Sequence, residues 1–214
     1  MYQSTLNETL AVYLVTGTEG YGGRSAAEIV REALSGGVTL VQLREKTAPL
    51  RDVLPAGREI RSLCRSAGVP FVVNDRVDLA LLLEADGVHV GQDDLPGGEA
   101  RKLLGPEAIL GISAGTMEEA EWAVSQGADY LGVGPVYATA SKGDAGEAIG
   151  TELIRRIRAR WPRLPLVGIG GIHKGNAAPV FEAGAQGVAV ISAITRQTDP
   201  REAARGLFEA ARGE

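Results

Sequence analysis

The 214-residue chain has one cysteine, two histidines, 5% aromatic residues and a formal net charge of −5. A lone thiol, Cys64, excludes an intrachain disulfide and any Cys-rich zinc or iron–sulfur site. Its setting, Arg61-Ser62-Leu63-Cys64, reads as helix, so a packed and inert thiol is expected. The acidic balance and scarce aromatics leave neither a nucleic-acid footprint nor a basic face for a membrane. No apolar run approaches the ~18 residues of a membrane span. The start, Met1-Tyr2-Gln3-Ser4-Thr5, lacks the basic-then-apolar pattern of a secretory signal, and a soluble, cytoplasmic protein is expected. Oligomeric state is left open, a homo-oligomer included.

What is present is enough for a packed core: 44% hydrophobic residues, with a charged fraction of 23% beside a globular average of about 25%. Short β-branched runs alternate with amphipathic stretches, the pattern of βα units around a parallel sheet. The runs are Val12 to Thr16, Leu40 to Arg44, Phe71 to Asn74, Gly87 to Val90, Ile109 to Ser113, Tyr130 to Val133, Leu166 to Ile169 and Gly187 to Ile191. They lack polar alternation, as expected when both faces of a parallel strand are covered. Eight evenly spaced units without a Gly-x-Gly-x-x-Gly fingerprint favour closure into a (β/α)8 TIM barrel over an open doubly wound sheet. The α/β chain is expected to be one such domain over residues 1–214, with 1–10 as an N-terminal extension.

Helices are expected between the runs. Ser25 can cap Ala26 to Leu34, and Gly68 follows Arg51 to Ala67. Thr116-Met117-Glu118-Glu119 reads as a capping box ahead of Ala120 to Gln126. Further helices fall at Arg76 to Leu83, Gly98 to Leu104, Thr151 to Arg160, Asn176 to Ala183 and Arg201 to Ala211. Gly17 to Gly23 reads as a flexible loop without a P-loop ending, so nucleoside triphosphate use is not supported.

A barrel of this kind builds its chemistry at the C-terminal ends of its strands. There Gln42, Arg44 and Lys46 alternate on one face of the second run. Charges inside a closed barrel have no solvated edge, and an unpaired buried charge costs several kcal/mol, so Arg44 and Lys46 point to an anion such as phosphate. Asp75 and Asp94 end neighbouring runs; they suit Mg²⁺, which prefers oxygen ligands and is commonly held by one or two carboxylates plus substrate phosphate. Taken singly, Asp75 also reads as a helix cap and Asp94 as a turn residue. Their place opposite a cationic strand favours the metal–diphosphate reading.

Ser113 ends the fifth run with a hydroxyl at the rim, and no Ser/His/Asp nucleophile arrangement accompanies it. The stretch at and after the end of the sixth run, Gly132 to Gly146, is long and rich in small polar residues, with Lys142 as the cation able to move with it. Loops after the seventh and eighth strands are the recurrent phosphomonoester site of the fold, which implies a second phosphate near Gly170-Gly171 and Ile191-Ser192. His89 reads as a satisfied imidazole inside an apolar strand. For His173, capping and phosphate contact both stay open.

The motifs Val41-Gln42-Leu43-Arg44-Glu45-Lys46, Val73-Asn74-Asp75, Gly87-Val88-His89-Val90-Gly91-Gln92-Asp93-Asp94, Gly134-Pro135-Val136-Tyr137 and Val167-Gly168-Ile169-Gly170-Gly171-Ile172, in this order, resemble the thiamine phosphate synthase family over residues 11–212. The resemblance implies a transferase that joins 4-amino-2-methyl-5-hydroxymethylpyrimidine diphosphate to 4-methyl-5-(2-phosphoethyl)thiazole, with Mg²⁺ and loss of pyrophosphate by a largely dissociative substitution. It implies that Gln42, Arg44, Lys46, Asn74, Ser113 and Lys142 contact the pyrimidine diphosphate and that Asp75 and Asp94 hold the metal. It assigns Thr139, Ser141, Gly171, Ile191 and Ser192 to the thiazole and its phosphate. Arg44, Lys46, Ser113 and Lys142 would form the catalytic set.

Two positions depart from the family pattern: Gly115 stands where many members have His, and Ser141 where Thr is usual. The sister thiazole tautomerases use a His near the position of Gly115 for proton transfer, so Gly115 argues against that alternative. A non-catalytic phosphate sensor on the same barrel is the remaining rival.

Overall fold

The computed structural model describes residues 2–139, 141 and 146–213, and side chains from Leu6 onward. Among these residues eight parallel strands, each bonded to the next and the last to the first, close into a barrel. The strands are β1 (Val12–Thr16), β2 (Leu40–Leu43), β3 (Phe71–Asn74), β4 (Gly87–Val90), β5 (Ile109–Ala114), β6 (Tyr130–Val133), β7 (Leu166–Ile169) and β8 (Gly187–Val190). The described helices are α1 (Tyr2–Thr9), α2 (Ala26–Ser35), α3 (Leu50–Ala67), α4 (Val77–Leu82), α5 (Gly97–Leu104), α6 (Met117–Ser125), α7 (Glu152–Arg160), α8 (Ala178–Glu182), α9 (Ser192–Thr195) and α10 (Pro200–Arg212). The fold is the (β/α)8 barrel that the alternating runs imply.

Strand periodicity sorts the apolar residues into two layers. Outward residues such as Leu14, Val41, Val73, Val88, Ile112 and Leu131 pack under the helices in one large core. Inward residues Tyr13, Val15, Leu40, Val72, Tyr130, Val167 and Ala189 form a separate cluster inside the cylinder, onto which Leu6 packs from α1. Leu10 is fully buried. Residues 1–10, expected as an extension, thus include a helix at the N-terminal end of the barrel. Leu14 is also fully buried, and cutting such a side chain to Ala costs about 2–5 kcal/mol.

Local signals place most boundaries within a residue or two. Ser25 and Glu28 form a reciprocal capping box on α2, with Glu28 N–H donating to Ser25 Oγ at 3.2 Å and Ser25 N–H to Glu28 Oε2 at 2.8 Å. The box expected at Thr116 is only half made. Glu119 N–H donates to Thr116 Oγ1 at 3.1 Å, but the Glu119 carboxylate accepts from Gly115 N–H at 2.6 Å, one residue further back, and ties the end of β5 to α6. The helix expected over Asn176 to Ala183 splits into a 3-10 turn, Lys174–Asn176, and α8, where Pro179 stands at the start without an N–H to donate. His173 caps that turn, its Nδ1 accepting from Gly175 N–H at 3.1 Å, so of its two open roles the capping one is seen.

Candidate active site

β2 stops at Leu43, so Arg44 and Lys46 stand beyond the strand rather than within it. The expectation of buried strand charges is corrected here: the Lys46 side chain is 44% exposed, because the chain rises out of the cylinder before the cations appear. Arg44 is held at the rim by its own N–H, which donates to Thr16 O at 2.7 Å. Glu45 turns elsewhere and accepts from Thr18 Oγ1 at 2.9 Å, joining the β1 and β2 loops.

Across the mouth, Lys46 Nζ lies 3.3 Å from Asp75 Oδ2. Asp75 follows β3 with φ 59° and does not cap α4; Arg76 occupies that cap position. Asp94 does serve its turn, accepting from Gly91 N–H at 2.8 Å, and it also lines the cleft. Burial, then the hydrogen bond and charge of Asp94, push the Asp75 carboxyl up to about 6 against the pull of Lys46. Among the described residues no group of three or more His, Cys, Asp or Glu is placed to hold a metal. Two facing carboxylates beside a space for phosphate oxygens still fit Mg²⁺, which retains water and substrate ligands readily.

Arg44, Lys46, Asn74, Asp75, Asp94, Ser113 and Thr139 surround one cleft of about 210 Å³. Gln42 is not beside them. It lies lower, 2% exposed, and its Nε2 donates to the hydroxyl of Tyr13. Between floor and rim stands His89, with Nδ1 2.9 Å from Tyr130 OH and Nε2 2.9 Å from Ser113 Oγ. Gln92 Nε2 donates to the carbonyl of Ser113 at 2.6 Å and fixes its backbone.

A smaller hollow of about 40 Å³ adjoins the cleft and is lined by Ser141, Gly171, Ile191 and Ser192, with Thr139, Ile169 and Gly170 shared between the two. Ser141 Oγ and Ser192 Oγ are 2.9 Å apart, and Ser141 N–H donates to Thr139 Oγ1 at 3.2 Å. Gly171 has φ 63°, and an added Cβ would press on Tyr137 and the carbonyl of Ala138, so the bare backbone is needed here. Lys142 lies outside the described residues.

A family model described as thiamine monophosphate synthase matches residues 12–194. The chain belongs to that family. Thiamine-phosphate synthase of Moorella thermoacetica is 58% identical over 198 residues, covering 92% of this chain and 94% of that protein. The protein of the same name from Natronomonas pharaonis is 54% identical over 210 residues, covering 97% and 98%. Among solved structures, thiamine phosphate pyrophosphorylase from Pyrococcus furiosus superposes with a TM-score of 0.87 at 40% identity, covering 97% of this chain and 98% of that one.

Within this member of the thiamine monophosphate synthase family, the expected site residues that are described gather at one end of the barrel, with Gln42 set deeper than the rest. Tyr13, Tyr130 and Gln92 were missed. A tyrosine in an otherwise aliphatic inner strand is the signal that could have found the first two, since a buried phenol needs a partner. A larger hollow of about 570 Å³ at the other end is lined by Leu6, Pro70, Ile109, Asp129 and Leu164. It lies at the N-terminal ends of the strands, where conserved chemistry is not built in this fold.

Proposed function

We propose that this barrel is a thiamine phosphate synthase, a transferase that joins 4-amino-2-methyl-5-hydroxymethylpyrimidine diphosphate to 4-methyl-5-(2-phosphoethyl)thiazole and releases pyrophosphate. The observation that carries this reading is the pair of adjoining pockets: a cationic and carboxylate-lined cleft beside a small hydroxyl- and glycine-lined one, with Thr139 and Gly170 in both. A diphosphate ester and a phosphomonoester set side by side need that combination. A cytoplasmic location is part of the proposal, since both substrates are charged phosphates that do not cross a bilayer unaided.

In this reading Arg44 grips the diphosphate with its planar fork and Lys46 adds a point charge. Asn74 and Ser113 orient the pyrimidine from the wall, and Gln42 faces it from below. Mg²⁺ would be held by Asp75 and Asp94 and would neutralise charge on the leaving diphosphate. Thr139, Ser141, Gly171, Ile191 and Ser192 hold the thiazole phosphate so that the ring nitrogen meets the pyrimidine methylene carbon as the carbon–oxygen bond breaks. Lys142 joins the diphosphate contacts from the β6 loop. Positioning and fixed charge supply the rate, and no covalent nucleophile is required.

The test is direct. Purified protein with both phosphorylated substrates and Mg²⁺ should yield thiamine phosphate and one equivalent of pyrophosphate. Folded protein that instead isomerises a thiazole carboxylate phosphate without the pyrimidine would be a tautomerase, and binding without turnover would make it a sensor.

A further inference from the structure

The interior of the barrel holds a continuous polar chain. Gln42 Nε2 donates to Tyr13 OH; Tyr13 OH and Tyr130 OH are 2.9 Å apart; Tyr130 OH is 2.9 Å from His89 Nδ1; and His89 Nε2 is 2.9 Å from Ser113 Oγ. Only its last member reaches the cleft at the rim. Space for it is built into the strands. His89 is paired in register with Gly111, Gly111 with Tyr130, and Ser113 with Gly132. A Cβ on Gly111 would strike both the Tyr130 hydroxyl and the His89 ring, and one on Gly132 would sit 2.8 Å from His89 Cε1.

The end of the chain sets its direction. An amide nitrogen has only protons to give, so the Tyr13 oxygen accepts from Gln42. Tyr13 is fully buried, and its own proton must be used within the protein. Tyr130 is its other hydroxyl partner, so that proton goes to the Tyr130 oxygen. Tyr130 then donates to Nδ1, which leaves the imidazole proton on Nε2, aimed at the Ser113 oxygen. A Ser–His pair at this distance suggests a nucleophile and its base, but here the polarity is reversed: the nitrogen facing the serine carries a proton and cannot take one.

We propose that His89 is a positioning residue, locked as the Nε2–H tautomer by Tyr130, that holds the Ser113 hydroxyl as a hydrogen-bond donor into the cleft. The group it selects is an acceptor on a planar heterocycle, such as an aminopyrimidine ring nitrogen; this part rests on the synthase reading above. Ser113 already accepts from His89, so its single proton is committed to substrate. Tyr13 and Tyr130 act only through that orientation.

Two measurements test it. In ligand-free protein labelled with ¹⁵N-histidine, two-bond ¹H–¹⁵N spectra resolve two imidazoles, and a His173→Asn variant assigns them. His89 should be the Nε2–H tautomer at neutral pH, and an Nδ1–H tautomer would overturn the proposal. In the kinetic arm, Tyr130→Phe keeps the ring and removes the donor. It should mix the His89 tautomers and lower kcat/KM for the pyrimidine diphosphate about tenfold, the size of one lost hydrogen bond, with KM for thiazole phosphate unchanged. Added to Ser113→Ala it should cost nothing more, whereas additive losses would show a general structural role and sink the idea. Absent wild-type turnover would count against the synthase reading, while the tautomer would still be read without substrate.

Discussion

Lys46 and Asp75 form an ion pair of 3.3 Å across the mouth of the barrel, between the loops that follow β2 and β3. Burial and the second carboxylate of Asp94 both disfavour the ionised form of Asp75. A divalent cation held by Asp75 and Asp94 would relieve that cost, as would removal of one charge.

Asp94→Asn should therefore raise the Mg²⁺ concentration for half-maximal activity by about tenfold or more, the usual scale for a charged ligand contact. Asp75→Asn should do the same and, in metal-free protein at neutral pH, raise the melting temperature. Its carboxyl is pushed up to about 6, so the ionised form that prevails at pH 7 is the one the fold disfavours. An unchanged metal titration in both variants would return the two residues to turn and loop roles.

Arg44→Ala should raise KM for the pyrimidine diphosphate by about 10- to 100-fold, corresponding to roughly 1.5–3 kcal/mol for hydrogen bonds to a charged group. Arg44→Lys should recover only part of this, since a point charge cannot replace a bidentate fork. Steady-state kinetics with the thiazole phosphate saturating would show it.

Ser192→Ala removes the hydroxyl that faces Ser141 at 2.9 Å in the smaller hollow. KM for the thiazole phosphate should rise about tenfold while KM for the pyrimidine diphosphate stays put. Equal effects on both substrates would mean that the hollow is not a separate phosphate site.

Burial raises the phenol of Tyr13 far above its ordinary range and Tyr130 well above it as well. The folded protein keeps these protons while the unfolded chain loses them near pH 10, so their contribution to stability is full below that pH and declines as pH rises beyond it. In an alkaline titration followed by phenolate absorbance, the last two of the five tyrosines should ionise together with unfolding. Stepwise ionisation before loss of circular dichroism would contradict a closed interior.

Cys64 lies on the buried face of α3, and burial pushes its thiol up to about 12. A disulfide reagent at pH 8 should leave it unmodified in native protein and label it stoichiometrically in denaturant. Rapid native labelling would overturn the inert reading made from its helical setting.

The order of elements was legible in the chain, because buried parallel strands must be apolar on both faces and short glycine-marked turns must separate them. The placement of Arg44, Lys46, Asp75, Asp94 and Ser113 around one cleft was legible for the related reason that they follow or end strands at the C-terminal face, where this fold builds its chemistry. Three matters were decided only by tertiary structure. Gln42, two residues from Arg44, belongs to the floor and not to the rim, because β2 ends between them. His89 meets Ser113 and Tyr130 from strands 24 and 41 residues away, a closeness that local periodicity does not contain. The direction of the proton chain from Gln42 to Ser113 follows from closure of the cylinder, which removes water and forces each buried hydroxyl to find its partner inside the protein.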